Sequence, residues 1–421
     1  MRIKSVSTAV VEANFDWTIV RIEDKDGRVG WGECFFAPGL TATVSELAEL
    51  LLGQDARQVQ PLMSRLRTAA SGAGSAGGIV VNALSGIDAA LWDLAARSLD
   101  VPLWQLLGGR FRESVRLYAD CHADTELSSL GPLLQVRPAP WSRQQSRADD
   151  DRVEMLFDPA TGASAPIDLA KLTERARSVA ASGFDALKFD IDVAGLLPRH
   201  PGSRHLPPQS IALVATMIDA VRAGAGATVD IALDCHWRYD VASAIGIAES
   251  LATKGILWLE DPIPMDNVAA VLNLARRSPV PLGGGENLNY WTAFEPLLAA
   301  GALAVATPDF QKFGGVQEAQ TLSRIAERHG VAIAPHNISG PVGTAFTAQL
   351  AATMPSFLAL EFHALDVPFF GDLVDHPVVQ DGAVALTDRP GIGVDVDVDA
   401  VRQWCKPGES IFGDEPQISA S

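Results

Sequence analysis

The chain has 421 residues, of which 48% are hydrophobic, and its formal net charge at pH 7 is −18. This length accommodates two domains, or one large barrel with an appended domain. The negative charge argues against nucleic acid and anionic membranes as partners, and an acidic substrate would need local positive charge such as a metal ion. No apolar run reaches the roughly eighteen residues that cross a bilayer, and the N-terminus lacks a signal peptide's apolar block. We therefore expect a soluble, cytoplasmic protein with four reduced cysteines, since these have no paired spacing.

The first 113 residues predict an α+β domain. Strand-like runs, among them "WTIVRIED" (17–24), precede helical ones. In the stretch 82–99, apolar residues recur at three- and four-residue steps, which is typical of an amphipathic helix.

From residue 114 to 365 the pattern changes to short apolar strands that alternate with amphipathic helices. We predict eight buried strands, at 115–121, 186–191, 229–235, 256–260, 280–286, 303–310, 331–336 and 357–362. Strands with helices between most of them indicate a parallel β/α barrel. The tail, 366–421, lacks this periodicity, and we expect it to pack back on the first domain.

Two long loops interrupt the alternation, at 124–166 and 193–209. Both follow predicted strands, so they belong to the carboxyl-end face, where barrel enzymes carry out their chemistry. Their length is equally compatible with lids and with plain surface insertions.

Three carboxylates end three successive predicted strands at an equal interval. Asp234, Glu260 and Glu286 follow one another at steps of 26 residues, about one loop, helix and strand. The three side chains would converge from neighbouring strands, where they would repel one another unless a cation lay between them. Hard oxygen ligands indicate Mg²⁺, with Mn²⁺ as a possible substitute. A single strand-end carboxylate is usually a helix cap or an ion-pair partner, but three at equal spacing favour the metal site.

These motifs, "LDCH", "WLEDP" and "GGGEN", resemble the enolase superfamily, and within it the mandelate racemase-like branch of sugar-acid dehydratases. The resemblance covers nearly the whole chain, including "GWGE" in the first domain. It implies an α/β fold with a modified TIM barrel, (β/α)7β, and an N-terminal α+β capping domain that the C-terminal tail completes. It also implies that Asp234, Glu260 and Glu286 are the Mg²⁺ ligands.

A second group of matching residues lies further along the chain. Asp309 and His336, 27 residues apart, end the sixth and seventh predicted strands, where the family has a His–Asp dyad. Glu361 is on the eighth strand, where relatives carry a carboxylate that faces the substrate. A metal bound to a substrate carboxylate makes the α-proton removable, and an imidazole oriented by a carboxylate suits the base.

The second strand bears on the fate of the enediolate once the α-proton has been removed. Many relatives have Lys-x-Lys there, the second lysine being a base, whereas this chain has Lys188 and then Asp190. The substitution disfavours two-base racemisation. His236 is two residues after Asp234, so both would share a strand face, and an imidazolium there can protonate a leaving hydroxyl. The "DCHWR" motif resembles that of gluconate and galactonate dehydratases.

Several residues have two interpretations at this stage. Lys188 contacts the substrate carboxylate or belongs to an ion pair; Asp190 binds a sugar hydroxyl or pairs with Lys188 or Arg238. Arg238 is a candidate substrate contact, and His122 either enters the pocket or packs in the core. We expect Glu361 to hydrogen-bond the substrate carboxylate.

Three further residues, two aromatic and one histidine, belong to the surroundings of the pocket. The segment 12–18 lies where relatives have a specificity loop, which makes Phe15 and Trp17 candidate contacts. We expect His363 to be structural and to point to the strand face opposite Glu361.

The sequence therefore predicts a Mg²⁺-dependent dehydratase of a small-molecule sugar acid, an aldonate such as gluconate or an epimer, acting as a homo-oligomer. One alternative is an epimerase, racemase or cycloisomerase that uses the same enediolate. Another is a non-catalytic sugar-acid binding protein, which would need no positioned base.

Overall fold

The computed structural model describes residues 1–121, 167–192, 196 and 203–414. His122 and the loop 124–166 lie outside the described residues, as does most of 193–202. The chain begins with an antiparallel sheet in the order β1-β2-β3, with strands β1 (Ile3–Glu12), β2 (Asp16–Asp24) and β3 (Val29–Cys34). Four helices follow: α1 (Leu40–Ala48), α2 (Val59–Ala69), α3 (Ile79–Ser98) and α4 (Leu103–Leu106). Strands before helices agree with the predicted α+β arrangement, and we call this unit the cap.

The long helix α3 packs directly on β3. A Cβ atom added to Gly32, in "GWGE", would lie 2.2 Å from the carbonyl oxygen of Gly86, so only glycine permits this approach. By length and mean hydropathy α3 is apolar enough to cross a membrane, although Asp88 and Asp93 interrupt its apolar residues. Its residues are nevertheless mostly buried inside the protein, as in the core helix of a globular unit.

The barrel has eight parallel strands, and each contains or overlaps a predicted one. They are β4 (Ser114–Cys121), β5 (Ala186–Asp190), β6 (Asp230–Asp234), β7 (Leu259–Glu260), β8 (Leu282–Gly284), β9 (Val305–Ala306), β10 (Ala332–Ile333) and β11 (Leu360–Phe362). Their order is β10-β9-β8-β7-β6-β5-β4-β11. Backbone hydrogen bonds from Ile333 to Ser356 and from Leu358 to Ile333, at 2.9 and 2.8 Å, close the ring between β10 and the segment before β11.

Within the described residues, one α-helix lies between each pair of successive barrel strands. The seven are α5 (Leu169–Ala181), α6 (Pro208–Ala225), α7 (Val241–Ser250), α8 (Val268–Ala275), α9 (Tyr290–Ala299), α10 (Val316–His329) and α11 (Pro341–Ala352). The described residues thus form the predicted (β/α)7β barrel. Tyr118 and Trp258, packed edge to face at 5.2 Å, fill its interior among alanines.

The C-terminal segment contacts both units. Strand β12 (Ala383–Ala385) pairs with β4 of the barrel, and helix α12 (Val398–Gln403) follows it. Beyond α12 the chain runs beside β1: the Glu12 N–H donates to the Trp404 carbonyl at 2.8 Å, and the Phe412 N–H donates to that of Thr8 at 2.9 Å. The domain boundaries at 113 and 365 stay a prediction.

Buried carboxyl groups of the cap hold it against the barrel. Glu33 accepts hydrogen bonds from the N–H groups of Gly340 and Gly343, at 2.7 and 2.8 Å, at the start of α11. Asp88 accepts one from Val316 at 2.7 Å, at the start of α10. The first N–H groups of a helix have no partner within it, so each carboxyl satisfies donors that would otherwise be buried and unpaired. Because α10 and α11 follow β9 and β10, these contacts place the cap over the carboxyl ends of the strands.

Candidate active site

A cavity of about 650 Å³ lies between the cap and the carboxyl ends of the barrel strands. His236, Glu286 and His336 border it from the barrel, and Phe15 and Phe36 border it from the cap. Predicted metal-site and acid–base residues therefore meet at one enclosed space. This location is the usual one for barrel active sites.

The three predicted metal ligands converge beside this cavity. Carboxylate oxygens of Asp234, Glu260 and Glu286 all lie within 4.8 Å of one another, and the three side chains are buried. Burial and the neighbouring carboxylates raise the pKa of Glu260 to about 7, although Lys188 lowers it. No described residue hydrogen-bonds the buried Oε1 atom of Glu260. An all-oxygen set with excess negative charge and an unsatisfied oxygen fits a hard divalent cation.

Lys188 is enclosed by carboxylates. Its Nζ atom lies 2.8 Å from Asp234, 2.9 Å from Glu361 and 3.4 Å from Glu260, and the side chain is 1% exposed. Burial lowers the pKa of Lys188, but these three carboxylates outweigh it and raise the pKa well above its usual value. Lys188 thus makes the ion pairs that one interpretation expected, and its contact with a substrate carboxylate stays a prediction. The ammonium offsets part of the negative charge around the metal site.

The predicted dyad is present as a hydrogen-bonded pair. Nδ1 of His336 lies 2.7 Å from Asp309, whose other oxygen accepts from the Gln311 N–H at 2.8 Å. On the other side of the ring, Nε2 lies 3.1 Å from Glu286. Burial lowers the pKa of His336, but Glu286, Glu361 and Asp309 together raise it to about 9. A cation held by Glu286 would cancel much of that carboxylate's effect and bring the imidazole closer to the range of a base.

His236 belongs to a second histidine–aspartate pair. Its Nδ1 lies 3.1 Å from Asp192, and its backbone N–H donates to Asp234 at 2.9 Å. His236 and Trp237 both have positive φ, 42° and 51°, so the chain turns sharply where β6 ends and still presents the ring to the cavity. Burial lowers the pKa of His236, but Asp234, Asp192 and Asp190 raise it well above its usual value.

Asp192 and its neighbours revise the sequence interpretation of the second strand. Arg238 has its Nε atom 3.4 Å from Asp192, a partner that the sequence interpretation did not name. Asp190 is buried, and a carboxylate oxygen of it lies within 4.8 Å of ligand atoms of Asp234 and His236. Sequence reasoning missed Asp192, which lies two residues beyond the end of β5, outside the strand.

Glu361 is fully buried beside Lys188 and His336. One oxygen accepts from the Tyr118 hydroxyl at 3.0 Å and from the Asn337 N–H at 3.2 Å. Burial raises the pKa of Glu361, but Lys188 and His336 outweigh it and hold the pKa well below its usual value. The group is therefore a carboxylate oriented by fixed donors.

The expectation that His363 points to the strand face opposite Glu361 is wrong, because residues two apart in a strand share a face and His363 borders the cavity. Its structural role stays a prediction. Phe15 also borders it, whereas Trp17 packs against Phe370 and donates from Nε1 to the Ile338 carbonyl at 3.0 Å.

A carboxylate cluster that could hold a metal ion and two histidine–aspartate pairs lie at the mouth of a capped (β/α)7β barrel, an arrangement typical of a barrel enzyme. The family comparison is more specific. Residues 3–108 match the mandelate racemase / muconate lactonizing enzyme N-terminal domain, and residues 171–401 match the enolase C-terminal domain-like family. The chain belongs to the enolase superfamily, with both domains of its mandelate racemase/muconate lactonizing enzyme type.

Similar proteins cover almost the whole chain. D-xylonate dehydratase from Haloferax volcanii is 32% identical over 98% of this chain and 91% of its own length. D-galactarolactone cycloisomerase from Agrobacterium fabrum is 30% identical over 92% of this chain and 91% of its own. A crystal structure of a mandelate racemase/muconate lactonizing enzyme-like protein from Rubrobacter xylanophilus has a TM-score of 0.85 and 34% identity, covering 98% of this chain and 99% of that one.

Proposed function

We propose that the protein is a Mg²⁺-dependent dehydratase of a sugar acid, an aldonate such as gluconate or an epimer. The observation that carries the proposal is that two histidines, each held by an aspartate, border one cavity beside a three-carboxylate cluster. Removal of the α-proton and of the 3-hydroxyl gives a 2-keto-3-deoxy acid and water. A relative that is 32% identical and named D-xylonate dehydratase supports this reaction type.

Asp234, Glu260 and Glu286 would hold the metal, for which Mg²⁺ is the first candidate and Mn²⁺ the second. When bound, it supplies a Lewis acid that stabilises the charge developing on the substrate carboxylate as the enediolate forms. Lys188 offsets part of the negative charge of these ligands. Glu361 orients the carboxylate of the substrate.

His336 acts as the base that takes the α-proton. Its Nδ1–H donates to Asp309, which leaves Nε2 as the nitrogen that accepts. The aspartate also stabilises the imidazolium that results from proton transfer.

His236 acts as the acid. Asp192 holds its Nδ1, so Nε2 is the nitrogen available to a substrate. As the enediolate collapses, its electron pair forms the C2–C3 double bond, the C3–O bond breaks, and the proton from His236 completes a water molecule. The enol product then tautomerises to the 2-keto acid. In this proposal Arg238, which pairs with Asp192, and Asp190, which is close to Asp234 and His236, contact substrate hydroxyls.

A cycloisomerase is the second candidate, because a relative 30% identical carries that name. It would abstract the same proton but would release no water. Epimerisation has less support, since Asp190 stands where a second basic lysine would be needed. A binding protein without catalysis would have no use for a base hydrogen-bonded to its aspartate.

A screen of aldonates and aldarates with Mg²⁺, with semicarbazide detection of 2-keto acids, tests the proposal. We expect turnover of an aldonate, and we expect His336→Asn to abolish both turnover and exchange of the α-proton with solvent deuterium. Exchange without a keto-acid product would favour the cycloisomerase or an epimerase. Absence of turnover with every acid sugar would refute the dehydratase. The cytoplasmic location and the homo-oligomeric state stay predictions.

A further inference from the structure

One residue of the cap contacts the barrel segment that carries the aspartate of the proposed base. Phe35 follows β3 directly and borders the cavity. Its backbone N–H donates to the Gln311 carbonyl at 3.2 Å. Its ring lies against the side chain of Lys312, whose Nζ atom is 3.6 Å from the ring centre. We call residues 309–312, which begin with Asp309, the dyad turn.

Hydrogen bonds within the dyad turn connect the cap contact with the imidazole of His336. The Gln311 N–H donates to one carboxylate oxygen of Asp309 at 2.8 Å, and the Lys312 N–H donates to the Asp309 carbonyl at 3.0 Å. The other carboxylate oxygen lies 2.7 Å from Nδ1 of His336. Gln311 and Asp309 are both buried, so water cannot easily replace a lost partner. A displacement of the dyad turn would therefore change the hydrogen bond that orients the base.

The ring of Phe35 is one of the partners that hold the Lys312 ammonium in place. Lys312 is 6% exposed, so its charge has lost most of its hydration. Nζ donates to Oδ1 of Asn287 at 2.9 Å, and the face of Phe35 supplies a cation–π contact. The same ring lies beside the imidazole of His336, with ring centroids 6.2 Å apart. Without the ring, the ammonium would shift toward other acceptors and the dyad turn would shift with it.

We propose that Phe35 positions the His336–Asp309 pair, so that a residue of the cap sets the geometry of proton abstraction on the barrel. The inference rests on the proposed function, in which His336 is the base, and goes beyond it by giving the cap a part in the proton-transfer step. Phe35 acts through the dyad turn and exchanges no proton itself, so it is a positioning residue.

Two substitutions remove the same contact from opposite sides. Phe35→Leu removes the aromatic face but keeps an apolar side chain, and Lys312→Met removes the ammonium, so the test stands if Phe35→Leu folds poorly. The double variant should lose little more than either single one, because residues in contact are not additive. Phe35→Tyr keeps the ring and should behave as the wild type. Arg67→Met is the control, since it removes another cation–π contact between cap and barrel, over Tyr290 at 4.7 Å and away from the cavity wall.

The first measurement needs no substrate. In protein with ¹⁵N-labelled histidine, the Nδ1–H of His336, which donates to Asp309, gives a downfield NMR signal that is identified by its absence in His336→Asn. We expect this proton to exchange with water about fivefold faster in Phe35→Leu and Lys312→Met, the scale of a lost cation–π contact, and at the wild-type rate in Phe35→Tyr and Arg67→Met. Unchanged exchange in both Phe35→Leu and Lys312→Met would overturn the inference.

The second measurement is the exchange of the substrate's α-proton with solvent deuterium. We expect kcat for this exchange to fall about tenfold in Phe35→Leu, with KM nearly unchanged, as for other groups that orient a catalytic residue. A rise in KM alone would show that Phe35 contacts the substrate, and this result would also overturn the inference. A faster exchange of the His336 proton in a protein that turns over no sugar acid would refute the proposed function and leave the positioning by Phe35 standing.

Discussion

The barrel side and the cap side of the cavity are built differently. The barrel side consists of ionisable groups at strand ends, each fixed by another: Asp309 holds His336, and Asp192 holds His236. The cap side presents the stacked rings of Phe15 and Phe36, and the C-terminal segment adds side chains such as Lys406. Catalytic side chains need a fixed geometry, and rigid strands hold them in place. Turns tolerate changes in sequence more easily, so side chains on turns can differ between enzymes that select different substrates.

The largest loss of turnover should follow substitution of a residue in the carboxylate cluster on the barrel side. Glu260→Gln keeps the shape of the side chain but removes one charge from the ligand set. We expect Mg²⁺ binding to be lost and turnover to fall by about a thousandfold or more, because several kcal/mol of charge stabilisation disappear. Calorimetry with Mg²⁺ and turnover assays measure both. Glu327→Gln, at an exposed carboxylate near Arg324, is the control; retention of Mg²⁺ binding by Glu260→Gln would contradict the ligand assignment.

His236→Asn should cause a smaller loss of activity, confined to the elimination of water. Without the acid, dehydration should fall by about a hundredfold, while His336 still exchanges the α-proton with solvent. Deuterium exchange followed by NMR, beside the keto-acid assay, separates the two steps. His205→Asn is the matched control, since this histidine pairs with Asp240 at an exposed position. Equal loss of exchange and dehydration would show that His236 binds substrate rather than protonating the leaving group.

Asp192→Asn should cause a still smaller loss of activity. It leaves His236 in place but weakens the hydrogen bond that orients the imidazole ring. We expect kcat for dehydration to fall about tenfold with KM nearly unchanged, as for other groups that orient a catalytic residue. Asp192→Glu should restore part of the rate. An effect on KM alone would instead point to Arg238, the other partner of Asp192.

Substitution of a buried carboxyl group at the cap–barrel junction should change the stability of the protein more than its catalytic rate. Burial raises the pKa of Glu33 to about 7, although the Gly343 and Gly340 N–H groups lower it. A raised pKa in the folded state means that stability falls as pH rises from about 4.5 to about 7, since the folded protein must either keep the proton or bury the charge. Glu33→Gln lacks this ionisation, so its melting temperature relative to the wild type should be higher at pH 7.5 than at pH 5. A difference independent of pH would contradict the raised pKa.

The barrel side could largely be predicted from the sequence, and the cap side could not. Equal spacing of Asp234, Glu260 and Glu286 indicates convergence because parallel strands end at one face. Asp192 was missed because it lies just beyond β5, where periodicity no longer indicates direction. The contact between Asn14 and His363 joins residues 349 apart through a turn, and no local pattern reports such a distance.

The path of the C-terminal segment has a consequence for the order of assembly. Residues 404–412 hydrogen-bond with β1, near the opposite end of the sequence, and Lys406 and Glu409 border the cavity. During synthesis the barrel can form while this segment is still unmade, because domains fold as their residues emerge. The cavity wall, however, is complete only once Lys406 and Glu409 have joined it, and both are made after the whole barrel. A finished pocket therefore forms later than the barrel that carries the carboxylate cluster.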